Sequence, residues 1–200
     1  MIFPERLAIA SKNAHKLREL GRICADWPVD WVTVETHEGP WLDVEEPHDA
    51  YRENALAKAR VVAASLGIPA IADDSGIEVD ALDNAPGPRS ARFAGEGATD
   101  AENLAKLIGA IVAVEPARRT ARYWCVAAIA WPDGTELAAD GACEGTLVTV
   151  PRGSGGFGYD PVFVPEGMAR TMAELADEEK DAISHRGRAF RALRELLADG

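Results

Sequence analysis

Asp73-Asp74-Ser75-Gly76 places two carboxylates side by side directly after the apolar run Ile68–Ala72. Such a pair costs desolvation unless it is ion-paired, hydrogen-bonded or metal-bound. Successive strand residues face opposite ways, so one Asp can point to a cleft while the other braces the backbone or a neighbouring donor. An Asx-type turn ending at Gly76 is the ordinary alternative. Ser11-x-Asn13-x-x-Lys16 follows another apolar run, Leu7–Ala10. A strand feeding a helix presents free backbone N–H groups to an anion, and Ser11, Asn13 and Lys16 add donors suited to phosphate. The plain alternative is a capped surface helix with a solvated lysine. Asn54 and Lys58 share one helix face at i,i+4. Glu53 beside them suits the dipole of a first turn, and with Asp73/Asp74 it also makes an oxygen-rich set of the kind Mg²⁺ takes.

Two further stretches carry chemistry. Pro151-Arg152-Gly153-Ser154-Gly155-Gly156-Phe157-Gly158-Tyr159-Asp160-Pro161 is glycine-rich around an aromatic ring. Glycine permits close approach or positive φ, and a ring held on such a loop can stack on a planar base. Asp160 can accept from base or loop, and Phe157 can equally anchor the loop to the core. Lys180, Ser184, His185 and Arg186 cluster at the start of the last helix, where Arg186 brings a donor fork to a carbonyl or phosphate. Pro86–Phe93 is a stiff loop with two arginines, able to form a cleft wall, a subunit contact or an exposed turn. No G-x-S-x-G or HExxH occurs, and nothing activates a cysteine nucleophile.

These residues need elements to position them. The pattern predicts a strand at Leu7–Ala10, a helix capped by Asn13, a strand near Trp31–Glu35, and a helix from Ala50 to Leu66 stopped by Gly67. A strand at Ile68–Ala72 then precedes a Gly/Pro-rich loop. A helix capped at Thr99 or Asp100 follows, and then a hairpin over Ala121–Trp131 and Leu137–Cys143. A separate strand at Gly145–Val150, another at Val162–Val164, a short helix near Met172–Ala176 and a terminal helix from Ser184 to Leu197 complete the chain. Alternating strands and helices indicate an α/β class in one domain.

Composition limits the alternatives. The 200 residues carry a formal net charge of −12 with no Lys/Arg run, which disfavours a nucleic-acid-binding module but not a small nucleotide. No apolar run is long enough to span a membrane. The opening residues read as a strand rather than a signal peptide. Three cysteines without short spacing suggest neither disulfides nor a thiolate metal site, and a reducing cytoplasm is the expectation.

Six segments together resemble the non-canonical purine nucleoside triphosphate pyrophosphatase family, the inosine/xanthosine triphosphate pyrophosphatases. They are residues 11–19, 53–60, 71–82, 86–93, 151–163 and 180–189, in the family order and spanning nearly the whole chain. The resemblance implies an elongated two-lobed α/β fold over residues 1–200, with a long mixed β-sheet flanked by helices, an active-site cleft between lobes, and a homodimer. It implies cleavage of ITP, dITP and XTP to the monophosphate and pyrophosphate, with Mg²⁺ as cofactor. By motif, Ser11, Asn13, Lys16, Lys58 and Ser75 hold the phosphate chain, and Glu53 and Asp74 hold the metal. Asp74 activates water, Phe157 stacks on the base, and Asp160, Lys180, His185 and Arg186 line the base pocket. A pyrophosphatase tuned to another modified or pyrimidine nucleotide is the nearest alternative. A nucleotide sensor without catalysis is the remote one.

Overall fold

The computed structural model describes residues 3–42, 44 and 49–199. Part of the acidic segment before the second helix therefore lies outside the described residues. The elements are β1 (Arg6–Ile9), α1 (Ala14–Ile23), β2 (Asp30–Val32), α2 (Tyr51–Leu66), β3 (Ala70–Val79), α3 (Asp100–Ile111), β4 (Thr120–Ala130), β5 (Glu136–Leu147), β6 (Phe163–Pro165), α4 (Asp177–Ile183) and α5 (His185–Asp199). Six strands form one sheet in the order β2-β1-β3-β4-β5-β6. β1 runs parallel to β2 and to β3, whereas β5 and β6 are antiparallel, so the sheet is mixed. This is the α/β class with a mixed, helix-flanked sheet that the sequence indicates. No described helix is long and apolar enough to cross a membrane.

Local chemistry explains most boundaries. Asn13 Oδ1 accepts from the backbone N–H of His15 and Lys16 and starts α1. Gly67, at φ 67°, ends α2 in the left-handed region that a residue with a Cβ rarely adopts. Thr99 and Glu102 form a reciprocal capping box at the start of α3.

Three expectations change. The strand expected to end at Ala72 continues through Asp73-Asp74-Ser75-Gly76 to Val79 as β3. Its backbone N–H at Ile77 donates to Ser90 Oγ at 2.8 Å, so that donor is satisfied by a serine thirteen residues on. β5 runs to Leu147 and absorbs much of the expected separate strand at Gly145–Val150. The short helix near Met172 is a single 3₁₀ turn, Met172–Glu174, and α4 follows it within a stretch whose charges masked any apolar stripe.

The chain divides into two compact units, Met1–Asp74 with Cys125–Gly141 and Arg186–Gly200, and Ser75–Trp124 with Ala142–His185. The first unit has two apolar clusters. One joins Leu7, Ile9, Leu20, Ile71, Ile129, Phe190 and Leu193. The other is mostly alanine and valine, from Ala8, Ala59, Val62, Ala63 and Ala70, which brings backbones close. The second unit is built around Ile77, Val79, Leu107, Ile111, Tyr123, Val162 and Phe163.

Candidate functional site

In the first unit, the two adjacent aspartates at the middle of β3 have separate sets of partners, as strand alternation requires. Asp74 faces α2, where Lys58 Nζ donates to its Oδ1 at 3.2 Å and Asn54 Nδ2 to its Oδ2 at 3.0 Å. Asn54 and Lys58 are one turn apart, so a single helix face supplies both donors. Asp73 meets α1 and α5 instead. Its Oδ2 accepts from Lys16 Nζ at 3.1 Å and from Arg186 Nη2 at 3.0 Å and Nε at 3.2 Å. Each aspartate thus tethers one lysine, Lys16 from α1 and Lys58 from α2.

Arg186 is almost fully buried and also ion-pairs with Glu19 of α1. Burial opposes its charge, but Asp73 and Glu19 more than offset that and hold the guanidinium protonated. Burial likewise pushes the Asp73 carboxyl up, and Arg186, Lys16 and Lys58 outweigh it, leaving the group well below the usual carboxylate range. Asp73 is therefore a fixed anion at neutral pH, unsuited to accept a proton. Its Oδ1 is buried without a hydrogen-bond partner. Cys125, whose Sγ lies 3.9 Å from Asp73 Oδ2, has its thiol pushed up by burial and then by that same anion, and is not a nucleophile.

Arg186, which the family resemblance places at the base pocket, is held in this arrangement by Asp73 and Glu19. All three guanidinium nitrogens are engaged by Asp73 and Glu19 within the first unit. His185 and Arg186 are consecutive at the start of α5 and lie about 100° apart around its axis, and the boundary between the two units falls between them. Glu19 is the member of this network that motif reading left without a role, while Asp73 is the aspartate of the pair that braces neighbouring donors. The signal was present, because Glu19 falls one turn after Lys16 on α1.

At the N-terminus of α1, the Asn13 side chain is occupied as the cap, and Ser11 Oγ accepts from Asn13 N at 3.2 Å. Ser75, the residue after the aspartates, is half-buried and belongs to the second unit.

In the second unit, Asp160 is the hub. Its Oδ2 accepts from Lys180 Nζ at 2.6 Å and from the Phe157 backbone N–H at 2.8 Å, and its Oδ1 accepts from the Tyr123 hydroxyl at 3.1 Å. Lys180 Nζ also lies 5.1 Å from the centre of the half-buried Phe157 ring, a cation–π distance. His185 stacks on Tyr123 with centroids 4.6 Å apart and planes within 9°. Phe157, Asp160, Lys180 and His185 are therefore brought together, with Tyr123 as a member the sequence reading missed. No motif flags Tyr123, because it sits within the apolar alternation of β4.

The glycines of this loop have a structural use. Gly153 and Gly156 adopt φ of 80° and 67°. A Cβ on Gly153 would collide with the Ala173 backbone, and one on Gly156 with the Asp160 carboxylate. The close approach that glycine allows is made by the chain itself.

The metal expectation depends on the donors present. Asp74 offers a buried carboxylate, and the exposed Glu53 is the neighbour in sequence of Asn54, which holds Asp74. Among the described residues no group of three His, Cys, Asp or Glu forms a self-sufficient cage. Mg²⁺ does not need one, since it is usually held by one or two carboxylates together with water and substrate phosphate. The donor chemistry fits such an ion.

Comparison with known proteins agrees with this architecture. A dITP/XTP pyrophosphatase of Streptomyces coelicolor is 50% identical over 199 residues, covering 96% of this chain and 98% of that protein. A dITP/XTP pyrophosphatase of Geobacter sulfurreducens is 44% identical over 192 residues, covering 96% of each. Among solved structures, a HAM1 protein from Coxiella burnetii superposes with a TM-score of 0.86 at 39% identity, covering 100% of both chains. A nucleoside-triphosphatase, dITP/XTP pyrophosphatase, from Mycobacterium abscessus gives a TM-score of 0.75 at 41% identity, covering 96% of this chain and 98% of that one. The family model described as Ham1 matches residues 7–196, and with relatives this similar over nearly their whole length the chain belongs to the Ham1 family.

Proposed function

We propose that this protein hydrolyses non-canonical purine nucleoside triphosphates, ITP, dITP and XTP, to the monophosphate and pyrophosphate, removing deaminated purines from the nucleotide pool. The observation that carries the reading is the paired tethering of Lys16 and Lys58 by Asp73 and Asp74. Two ammonium groups held in place by adjacent carboxylates suit a polyanionic tail and lose little freedom when it binds.

Lys16 and the N-terminus of α1 at Ser11 and Asn13 stabilise charge on the phosphates, with Lys58 and Ser75 supporting the chain. Asp74 orients the attacking water and accepts its proton, whereas Asp73, fixed as an anion by Arg186 and Lys16, holds the lysine. Asp74 and Glu53 would hold Mg²⁺, which when bound would supply charge withdrawal from the phosphate oxygens. Phe157 offers a face to the base, and Lys180, Asp160 and His185 form its polar surround. The 1–200 chain acts as one catalytic domain, in the cytoplasm and as a homodimer, an expectation resting on the family resemblance.

Anion chromatography of an ITP digest in Mg²⁺ tests the bond choice. The expected primary products are IMP and pyrophosphate, and IDP with orthophosphate overturns the proposal. A kcat/KM panel over ITP, XTP, GTP, ATP and dUTP tests the base, and equal efficiency for ITP and ATP defeats the purine assignment. Light scattering near twice 21.4 kDa is expected for the dimer.

A further inference from the structure

Tyr123 belongs to none of the motifs, yet it touches two of the four residues proposed to surround the base. It lies within β4, buried, with its ring 4.7 Å from Phe163 and 4.6 Å from His185. The Phe163 contact, inclined at 57°, fixes the plane of the tyrosine from the core. The His185 contact, at 9°, passes that plane on to the imidazole. The hydroxyl of the same ring donates to Asp160 Oδ1 at 3.1 Å.

The two oxygens of Asp160 divide the work. Oδ2 is shared by Lys180 and the Phe157 amide, both on the proposed base site. A carboxylate held through one oxygen alone can swing about that contact, carrying the lysine and the aromatic loop with it. The Tyr123 hydroxyl holds the second oxygen and removes that freedom. A leucine or valine at this strand position would be apolar enough for the core beside Phe163, but it would neither stack flat on His185 nor reach Asp160. The polar tip and flat face of tyrosine are both used.

We propose that Tyr123 is a positioning residue for base recognition, setting His185 by ring stacking and Asp160, with Lys180 and Phe157, by its hydroxyl. The inference rests on the reading of this cluster as the base site. It assigns Tyr123 no contact with the nucleotide, so its removal weakens the hold on the base while leaving the phosphate chemistry of the first unit intact.

The test is steady-state kinetics on the full chain with ITP and ATP in Mg²⁺, for Tyr123→Phe, Tyr123→Leu, Phe157→Ala and Lys180→Met. Tyr123→Phe keeps the stack and loses the hydroxyl. Its KM for ITP is expected to rise about tenfold, the scale of one hydrogen bond to a charged group, with kcat within about twofold. Tyr123→Leu loses both contacts and is expected to raise KM further and to narrow the ITP/ATP preference. The His185 ring-proton resonances report the stack directly: they move in Tyr123→Leu as the shielding ring is removed, and stay near their native positions in Tyr123→Phe. Unchanged KM in Tyr123→Phe, while Phe157→Ala and Lys180→Met raise it, overturns the role of Tyr123 and leaves the base site standing. Unchanged KM for ITP in Phe157→Ala and Lys180→Met overturns the base-site reading, and this inference with it.

Discussion

The acid–cation network around Asp73 and Asp74 and the cluster around Asp160 use the same elementary pair, a buried carboxylate holding a lysine, for different ends. The first adds a second aspartate, a glutamate, an arginine and another lysine. The second adds a tyrosine, a histidine and a phenylalanine around one ion pair. A set of fixed charges suits a flexible polyanion, whose recognition is chiefly electrostatic. Flat rings around an ion pair suit a planar, weakly charged base, whose recognition is by stacking and by a few directed hydrogen bonds. The first network must also hold itself together against the cost of burying charge, and this sets the size of each expected effect.

The largest effect belongs to Arg186. Arg186→Met leaves Asp73 and Glu19 buried without their common cation, and is expected to cost about 3–5 kcal/mol of stability by urea unfolding. Lys180→Met is the comparison. Asp160 keeps the Tyr123 hydroxyl and the Phe157 amide, so a loss of about 1–3 kcal/mol is expected. Equal losses in the two variants would erase the distinction between a charge network and an aromatic clamp.

Next comes chemistry. Asp74→Asn keeps the shape and one acceptor oxygen for Lys58, but it turns an amide donor toward Asn54 Nδ2 and loses the proton acceptor and the anionic oxygen. A fall in kcat of at least about 10²-fold is expected, the scale of one strong electrostatic contribution, with the melting temperature little changed. Near-normal turnover in Mg²⁺ would remove Asp74 from the mechanism.

Phe157→Ala sharpens the contrast from the other side. Loss of a stacking face is worth about 1–3 kcal/mol per base, so KM for ITP is expected to rise about tenfold or more with kcat retained. A fall in kcat with KM unchanged would place Phe157 in loop packing alone.

The smallest effect is acid sensitivity. The Asp73 carboxyl is depressed in the folded state by Arg186, Lys16 and Lys58 against the opposing effect of burial. Its contribution to stability is complete above the unfolded value near about 3.9 and is lost as pH falls from there toward the depressed folded value. Unfolding free energies measured between pH 6 and pH 3, values chosen to bracket about 3.9, are expected to fall more steeply for the native chain than for Asp73→Asn. Parallel pH dependences would show that Asp73 carries no such linkage.

Much of this was legible before any coordinates. The caps at Asn13 and Thr99 and the stop at Gly67 are local, because a side chain bonds its own backbone or a glycine relieves its own Cβ. The aspartate pair after an apolar run marked the acid–cation network of the first unit for the same reason: burying adjacent charges demands partners. The residue types suited to a polyanion and a base were also written in order along the chain. Local pattern did not fix the end of β3. Asp73-Asp74-Ser75-Gly76 continues as strand, and beyond it Ile77 meets Ser90, a contact between segments that local pattern does not contain.

Sequence by itself determined the α/β class, the caps and the chemical inventory, because each rests on periodicity or on interactions within a few residues. Tertiary structure alone decided which cation serves which carboxylate. Arg186 and His185 are neighbours in sequence, yet one closes a buried bridge to Asp73 and Glu19 while the other stacks on Tyr123. The reason is geometric: consecutive helix residues diverge by about 100°, so two adjacent side chains answer to different surroundings, and those surroundings are assembled from segments far apart in the chain.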